Sequence, residues 1–549
     1  MNPARRAGNL SPAGGPRNIV GTVNSKVSWW SLALAGAMGW VVAAATAATG
    51  QNLIANGDLE QREGDRPAGF ELAGAAEYRY LGDIWREASS YGVVLSATQP
   101  AGSVACVVDR LDAKDGKWFR FAFRGLPEDN FAVGQGDLWL KVEFFGGPDR
   151  VAYDGKEKKL YDQVLAARRD FSVNGVGRQH GAEVWRDYLV DFCLPFPQVD
   201  RLRLSVGFGH GAATNTVGSR FLVDDLSLIR IPEPTNAPAA PAAPLAVVPA
   251  GPLLPLGGRW FYAALPGETQ PPAVFAHTNA DRLVYHDTQY SAPFAGNTTA
   301  WLRAGDLDAN GREVEKSRWV ADNVTIQFTK DSLVLRTHGL PNHPTGRFPE
   351  QGFGNPNYIT EQVRSFYLPL NPRENPGHLA MTNDNRNGAL PMGPIGVAVN
   401  GVVFFNPFDM QQQEALDLMD RCCGHPAPNG QYHYHKYPIC VNSPWADDGR
   451  AHSPLLGWAF DGFPVYGPYE GAGVMAKDVR GERALNAFNG HEDAERGWHY
   501  HATPGKFPYL IGGYWGTRDP RDGRGGPGGR GGAGGPGGRR GPGGAPAGL

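Results

Sequence analysis

A β-rich chain of more than one domain is what this sequence predicts, on three observations. Glycine (74) and proline (45) are abundant in 549 residues, charged residues make up only 19%, and aromatics reach 11%. That mixture suits short strands joined by many turns. The length exceeds one ordinary core, so two or three domains are expected. No long amphipathic helix is legible, and the best short helical stretch is 407–421 (PFDMQQQEALDLMDR). The formal net charge is −3. No global field recruits nucleic acid or an anionic membrane, so neither is expected as a partner.

The first 50 residues read as a signal peptide. Arg5, Arg6, Arg17 and Lys26 precede an apolar run from Trp29 to Ala48, and Ala45-Thr46-Ala47 offers the small-x-small pattern of a cleavage site. An uncleaved anchor is the alternative, because the run approaches the roughly 20 residues of a membrane span. Either way the rest of the chain is expected to be secreted, periplasmic or at the cell surface. In an oxidising compartment the five cysteines can pair, Cys106 with Cys193 and Cys440 with Cys422 or Cys423, leaving one over.

Residues 51–232 form the first globular segment. Runs such as Trp118-Phe119-Arg120-Phe121-Ala122-Phe123 and Leu138-Trp139-Leu140-Lys141-Val142 have the period-2 alternation of half-buried strands. Both ends also read as strands, which suggests a β-sandwich whose termini pair. The opening NLIANGDLE…PAGFEL and the closing FLVDDLSLIR resemble carbohydrate-binding jelly rolls related to cellulose-binding modules. That resemblance implies a jelly-roll β-sandwich, a polysaccharide or glycan partner, and a structural calcium joining first and last strands. Glu60 and Asp225 would be the calcium carboxylates, against the plainer reading of turn or edge residues. Trp118, Trp139 and Trp185 are candidates for a sugar face, and equally for core.

Residues 233–256 (EPTNAPAAPAAPLAVVPAGPLLPL) read as a Pro/Ala linker. Residues 257–516 are assigned to the C-terminal domain, although 259–323 carry no interpretable motif. Residues 517–549 are Gly/Pro/Arg low complexity, expected to be a disordered tail.

Seven of the 14 histidines fall between 425 and 501. Asn429-Gly430 signals a tight turn, followed by Tyr432-His433-Tyr434-His435. On a strand, His433 and His435 share one face and the tyrosines the other, leaving the imidazoles about 6.6 Å apart at the backbone. The pattern recurs at Trp498-His499-Tyr500-His501. If the strands neighbour each other, His433, His435, His499 and His501 converge on one ion, with His425 as a fifth contributor. Such a set suits zinc, copper or iron. Satisfied surface histidines are the alternative. Asp461, in an apolar, turn-rich stretch, is the candidate catalytic base or orienter of a ligand histidine, or else an Asp-Gly turn. His452, Tyr466, His338 and His343 carry less weight.

These blocks resemble the YHYH-domain proteins: GLPNHPTGRFP (339–349), GPIGVAVNGVVFFNP (393–407), CGHPAPNGQYHYH (423–435), HSPLLGWAFDGFPVYGPY (452–469) and WHYHATPGKFPYLIGGYWG (498–516). The similarity runs from about 320 to 516. Trp498 departs from the tyrosine of the motif, and Gly513 stands where a cysteine is expected. No activity comes with the resemblance. The expected function is therefore a secreted or cell-envelope protein with a metal-binding, histidine-rich domain, in one form a metalloenzyme brought to extracellular glycan by the sandwich. A metal carrier and a non-catalytic glycan- or protein-binding surface protein are the alternatives.

Overall fold

The computed structural model describes residues 50–81, 91–96, 101–127, 138–146, 159–167, 186–209, 220–234, 251–286, 298–349, 355–382, 387–408, 419–441 and 447–521. The leader, most of the linker, the middle of the helical stretch at 407–421, Trp185 and the tail beyond Arg521 lie outside them. Among the described residues the structure is strand and turn, with helix confined to single 3-10 turns. No helix there is long and apolar enough to cross a membrane.

The first segment is a sandwich of two five-stranded sheets. In one sheet Trp118–Pro127 lies between Arg186–Cys193 and Arg220–Arg230; in the other Val199–Gly209 lies between Ala101–Val108 and Leu138–Gly146. The alternation sets which side chains face in: Phe119, Phe121 and Phe123 from the first sheet meet Leu140, Val142 and Phe144 from the second, all buried. The segment's ends pair as expected. Leu53 N donates to Leu228 O (2.8 Å) and Leu226 N to Gly57 O (2.7 Å), and Asn52 bridges Leu226 and Leu228 through its side chain. Gly57 permits this approach, since a Cβ there would sit 2.0 Å from Leu226 O.

Leu253–Gly257 is a strand paired with Trp260–Ala263, so the C-terminal part of the expected linker is ordered in a sheet. The uninterpreted stretch after it supplies aromatic cover: Trp260 and Tyr285 pack on Trp458 with ring centroids 5.6 and 6.1 Å apart. Thr517–Arg521, assigned to the tail, folds back, with Ser332 donating to Asp519 (3.1 Å) and Arg521 over the Tyr367 ring.

The centre of the C-terminal domain is an eight-stranded sheet. In chain order its strands are β1 (Pro394–Ala398), β2 (Val403–Phe405), β3 (Gly424–Pro426), β4 (Tyr432–Tyr434), β5 (Leu455–Ala459), β6 (Pro464–Tyr466), β7 (Gly490–Asp493) and β8 (Gly497–His501). Their order across the sheet is β3-β4-β2-β1-β5-β6-β8-β7. Only β2/β4 and β6/β8 are parallel pairs; every other neighbour is antiparallel. The two histidine strands, β4 and β8, therefore lie five strand spacings apart, about 24 Å at about 4.8 Å each.

Cys422 and Cys440 form a disulfide, one of the two pairings expected for Cys440. Cys106, Cys193 and Cys423 are buried and in no disulfide, so the expected Cys106–Cys193 bond is not formed. The two cysteines lie in different sheets of the sandwich. The Cys193 sulfur instead lies 4.0 Å from that of Cys440.

Candidate metal centres

The expected face alternation holds on both histidine strands, and the tyrosines anchor the far face. The Tyr432 hydroxyl donates to Asp420 (2.7 Å), and that of Tyr434 accepts from Asn400 Nδ2 (3.0 Å). His343 Nδ1 lies 2.9 Å from Pro344 O and Nε2 lies 2.6 Å from the Tyr434 hydroxyl. A carbonyl can only accept, so Nδ1 carries the proton and the Tyr434 hydroxyl donates to Nε2. His343 is thus a support for the motif rather than an idle loop residue. His338 is tied to Glu361 at 2.6 Å.

The histidine face does not form one centre. It forms two, because the intervening strands hold the pairs apart. At the first, His425 pairs across from His433, and His435 follows β4. The Nε2 atoms of His433 and His435 are 2.9 Å apart, and those of His435 and His425 are 3.2 Å apart. His433 Nδ1 donates to Gln431 O (2.9 Å) and His435 Nδ1 to Asn406 O (2.6 Å). Those carbonyls fix the proton on Nδ1, so each neutral ring turns an Nε2 lone pair toward its neighbours. Burial, with neighbouring imidazoles, holds His433 well below the ordinary histidine range and lowers His435 to about 3. Phe405 stacks on the His433 ring at 3.8 Å.

At the second, His491 pairs across from His499, and His501 ends β8. His452 and Glu470 join them. His499 Nε2 lies 3.1 Å from His491 Nε2 and 3.4 Å from His452 Nε2. Glu470 Oε1 lies 2.9 and 3.1 Å from the Nε2 atoms of His491 and His501. All four Nδ1 atoms face carbonyls: Arg483 for His491, Gly497 for His499, Gly467 for His501 and Ser453 for His452. Despite the short approaches, Glu470 Oε1 and His501 Nε2 are buried without a hydrogen bond of usable geometry. Burial lowers His499 to about 2 and His452 to about 3, aided in both by the neighbouring His501 imidazole. Burial would raise Glu470, but the close approach of the His491 and His501 imidazoles outweighs it and holds the carboxyl below its usual range.

This donor set fits a transition metal. Bonds of about 2.0–2.1 Å put tetrahedral ligand atoms about 3.3 Å apart, within the spread of separations found here. A ligating imidazole ordinarily donates its other N–H to a carbonyl or carboxylate, which fixes tautomer and ring orientation. His491, His452 and Glu470 were not read as ligands from sequence, and the shared spacing is the signal that could have found His491. His425, His491 and the following His-x-His pairs stand in the same relation, with histidines at i, i+8 and i+10.

Asp461 does not face either cluster. It is buried on the tyrosine side, accepting from the Tyr500 hydroxyl (2.6 Å), Gly516 N (2.9 Å) and Phe463 N (3.2 Å). Burial raises its carboxyl to about 6. The structure gives it neither a reacting group nor a ligand imidazole to orient; it closes the Asp461-Gly462 turn and holds Tyr500. In the sandwich, Glu60 accepts from Tyr91 N (3.0 Å), whereas Asp225 lies 3.6 Å from Arg124. Neither belongs to a described group of three metal-donor side chains. The one described group with cysteines joins His343 to Cys422 and Cys440, whose sulfurs are spent in the disulfide. Trp118 is core, and Trp139 is half-buried under Lys141 (4.2 Å).

Residues 365–482 match the family described as YHYH protein, a span that ends before β7 and β8. Comparison with curated proteins found no match. Among solved structures, the chain is similar to the enzymatically active domain of tailspike protein 4 from bacteriophage CBA120 (12% identity, 33% of this chain and 21% of that one, TM-score 0.21). It is similar also to TmCBM61 in complex with β-1,4-galactotriose (12% identity, 33% and 99%, TM-score 0.20). A third is the CBM22-1 xylan-binding domain of Xyn10C from Paenibacillus barcinonensis (14% identity, 33% and 94%, TM-score 0.20). The chain thus spans about a fifth of the length of the tailspike domain.

Proposed function

We propose that the C-terminal domain binds a transition metal through the imidazole Nε2 atoms on its histidine strands, in an exported protein whose sandwich serves as a glycan-binding module. One observation carries the metal reading. Carbonyl partners commit Nδ1 of His433, His435, His452, His491, His499 and His501 to donation, so Nε2 lone pairs crowd within 2.9–3.4 Å of one another with no proton to share. A divalent cation satisfies that arrangement, and burial keeps His433, His435, His452 and His499 neutral and ready to ligate. Imidazole with one carboxylate suits zinc, copper or iron rather than calcium or magnesium. A bound ion would supply a Lewis acid; the chain's own part is to aim the rings and exclude water.

Export rests on the apolar leader, and the glycan role on the motifs at the two ends of the sandwich. The deciding experiment is elemental analysis of protein purified without chelator or affinity tag. Stoichiometric zinc, copper or iron is expected. A folded protein that neither retains nor takes up any of the three would overturn the reading. Retention on a panel of insoluble xylan, galactan and cellulose tests the module separately, and elution in the void from all three would remove it.

A further inference from the structure

The two histidine clusters belong to two copies of one structural unit. Strands β1 to β4 and β5 to β8 have the same internal order, and the sheet reads as one half followed by its mirror sequence about the β1/β5 seam. Each half has an antiparallel hairpin, then a parallel partner strand, then an outer antiparallel strand. The residues repeat with the strands. Gly396, Ala398, Gly401 and Pro407 match Gly457, Ala459, Gly462 and Pro468, and Gly424, His425, His433, Tyr434 and His435 match Gly490, His491, His499, Tyr500 and His501.

The hydrogen bonds repeat as well. The Asn400–Tyr434 contact corresponds to Asp461–Tyr500, and the Gln431 and Gly497 carbonyls hold the first ring of each His-x-His pair. Asn406 O and Gly467 O, at matching positions, hold the second. A duplicated scaffold that keeps each ring's second bond keeps the reason for that bond.

We infer that the chain holds two metal ions, one in each repeat, and that the second is bound more tightly. This rests on the metal-binding reading. The asymmetry comes from His452, which aims a fourth imidazole at the second cluster, whereas its counterpart in the first repeat is Pro391, which has no ligand to give. Asp409, matching Glu470, lies outside the described residues, so the difference is argued from His452 alone. At about 24 Å the two centres are independent sites rather than a bridged pair, whose metals lie about 3.5–4 Å apart.

The test is zinc content and zinc affinity of the full chain. Wild type is expected to hold two zinc ions and to release them to a chelator in two phases. His433→Ala/His435→Ala should lose one ion and keep the tighter phase; His499→Ala/His501→Ala should lose the other. His452→Ala should weaken the tighter phase at least tenfold and leave the weaker one unchanged. Where a double alanine variant fails to fold by circular dichroism, His425→Asn and His491→Asn make the same distinction. One ion abolished by either pair of substitutions means a shared centre and overturns the duplication argument. Two ions released in a single phase that His452→Ala does not move overturn the asymmetry. No zinc, copper or iron in folded wild type overturns the underlying metal reading instead.

Discussion

Removing metal should lower the melting temperature of the C-terminal domain, and the size of the drop can be set beforehand. Without an ion, each centre holds lone-pair-bearing nitrogens 2.9–3.4 Å apart in buried positions. The unfolded chain carries no such constraint, so metal binds the folded state preferentially. A ligand at a hundred times its dissociation constant stabilises by about 2.7 kcal/mol. For a domain of this size about 1 kcal/mol moves the midpoint by about 2 °C, so each filled centre is worth about 5 °C and the two about 10 °C. The assay is differential scanning fluorimetry of chelator-stripped protein titrated with zinc, with magnesium as the control for ionic strength. Magnesium should do little, because it favours oxygen ligands and retains its waters. If zinc, copper(II) and iron(II) each leave the midpoint within about 1 °C while the stripped protein stays folded, the crowding of Nε2 atoms is not relieved by metal and the reasoning fails.

Three further outcomes are expected. Asp461, raised to about 6 from an ordinary 3.8, binds its proton more tightly in the folded state. Its contribution therefore favours the fold at low pH and is lost as pH rises from about 4 through 6. Asp461→Asn should flatten this part of the stability–pH profile, removing roughly 2–3 kcal/mol of variation, while leaving metal content unchanged; a coincident loss of metal would refute its placement. Gly57→Ala forces a Cβ to 2.0 Å from Leu226 O and should cost about 2–3 kcal/mol in a urea melt, by prising apart the ends of the sandwich. The Cys422–Cys440 bond spans 18 residues, so Cys440→Ser should cost about 3 kcal/mol, and an unchanged midpoint would show that the bond is not formed.

The sequence carried the local geometry of the site but not its assembly. Alternation alone placed His433 and His435 on one face and their tyrosine neighbours on the other, because a strand has only two faces. The same rule put Phe119, Phe121 and Phe123 on one face of their strand, and that face is the buried one. Which strands neighbour one another depends on long-range pairing that alternation does not encode, and so four imidazoles expected at one ion fall into two clusters. His452 and Glu470 reach the second cluster from outside the repeating motif, on segments with no spacing relation to β8. Asp461 drew attention through its apolar surroundings, yet those surroundings are the far side of the sheet. Trp118 was balanced between sugar face and core, and its neighbours Cys193 and Cys422 decide for core.

The sandwich bears on the second centre through Gln198 and Phe196. Tyr469 donates to Gln198 Oε1 (2.7 Å), Gln198 Nε2 donates in turn to Asp448 O, and Phe196 stacks on Tyr437 with ring centroids 5.7 Å apart. Tyr469 is the residue next to Glu470. The N-terminal module is therefore no tethered hook swinging at the end of a proline leash. It is a buttress set against the backbone that presents the carboxylate, and a protease that severed the connecting stretch would leave both pieces clasped together.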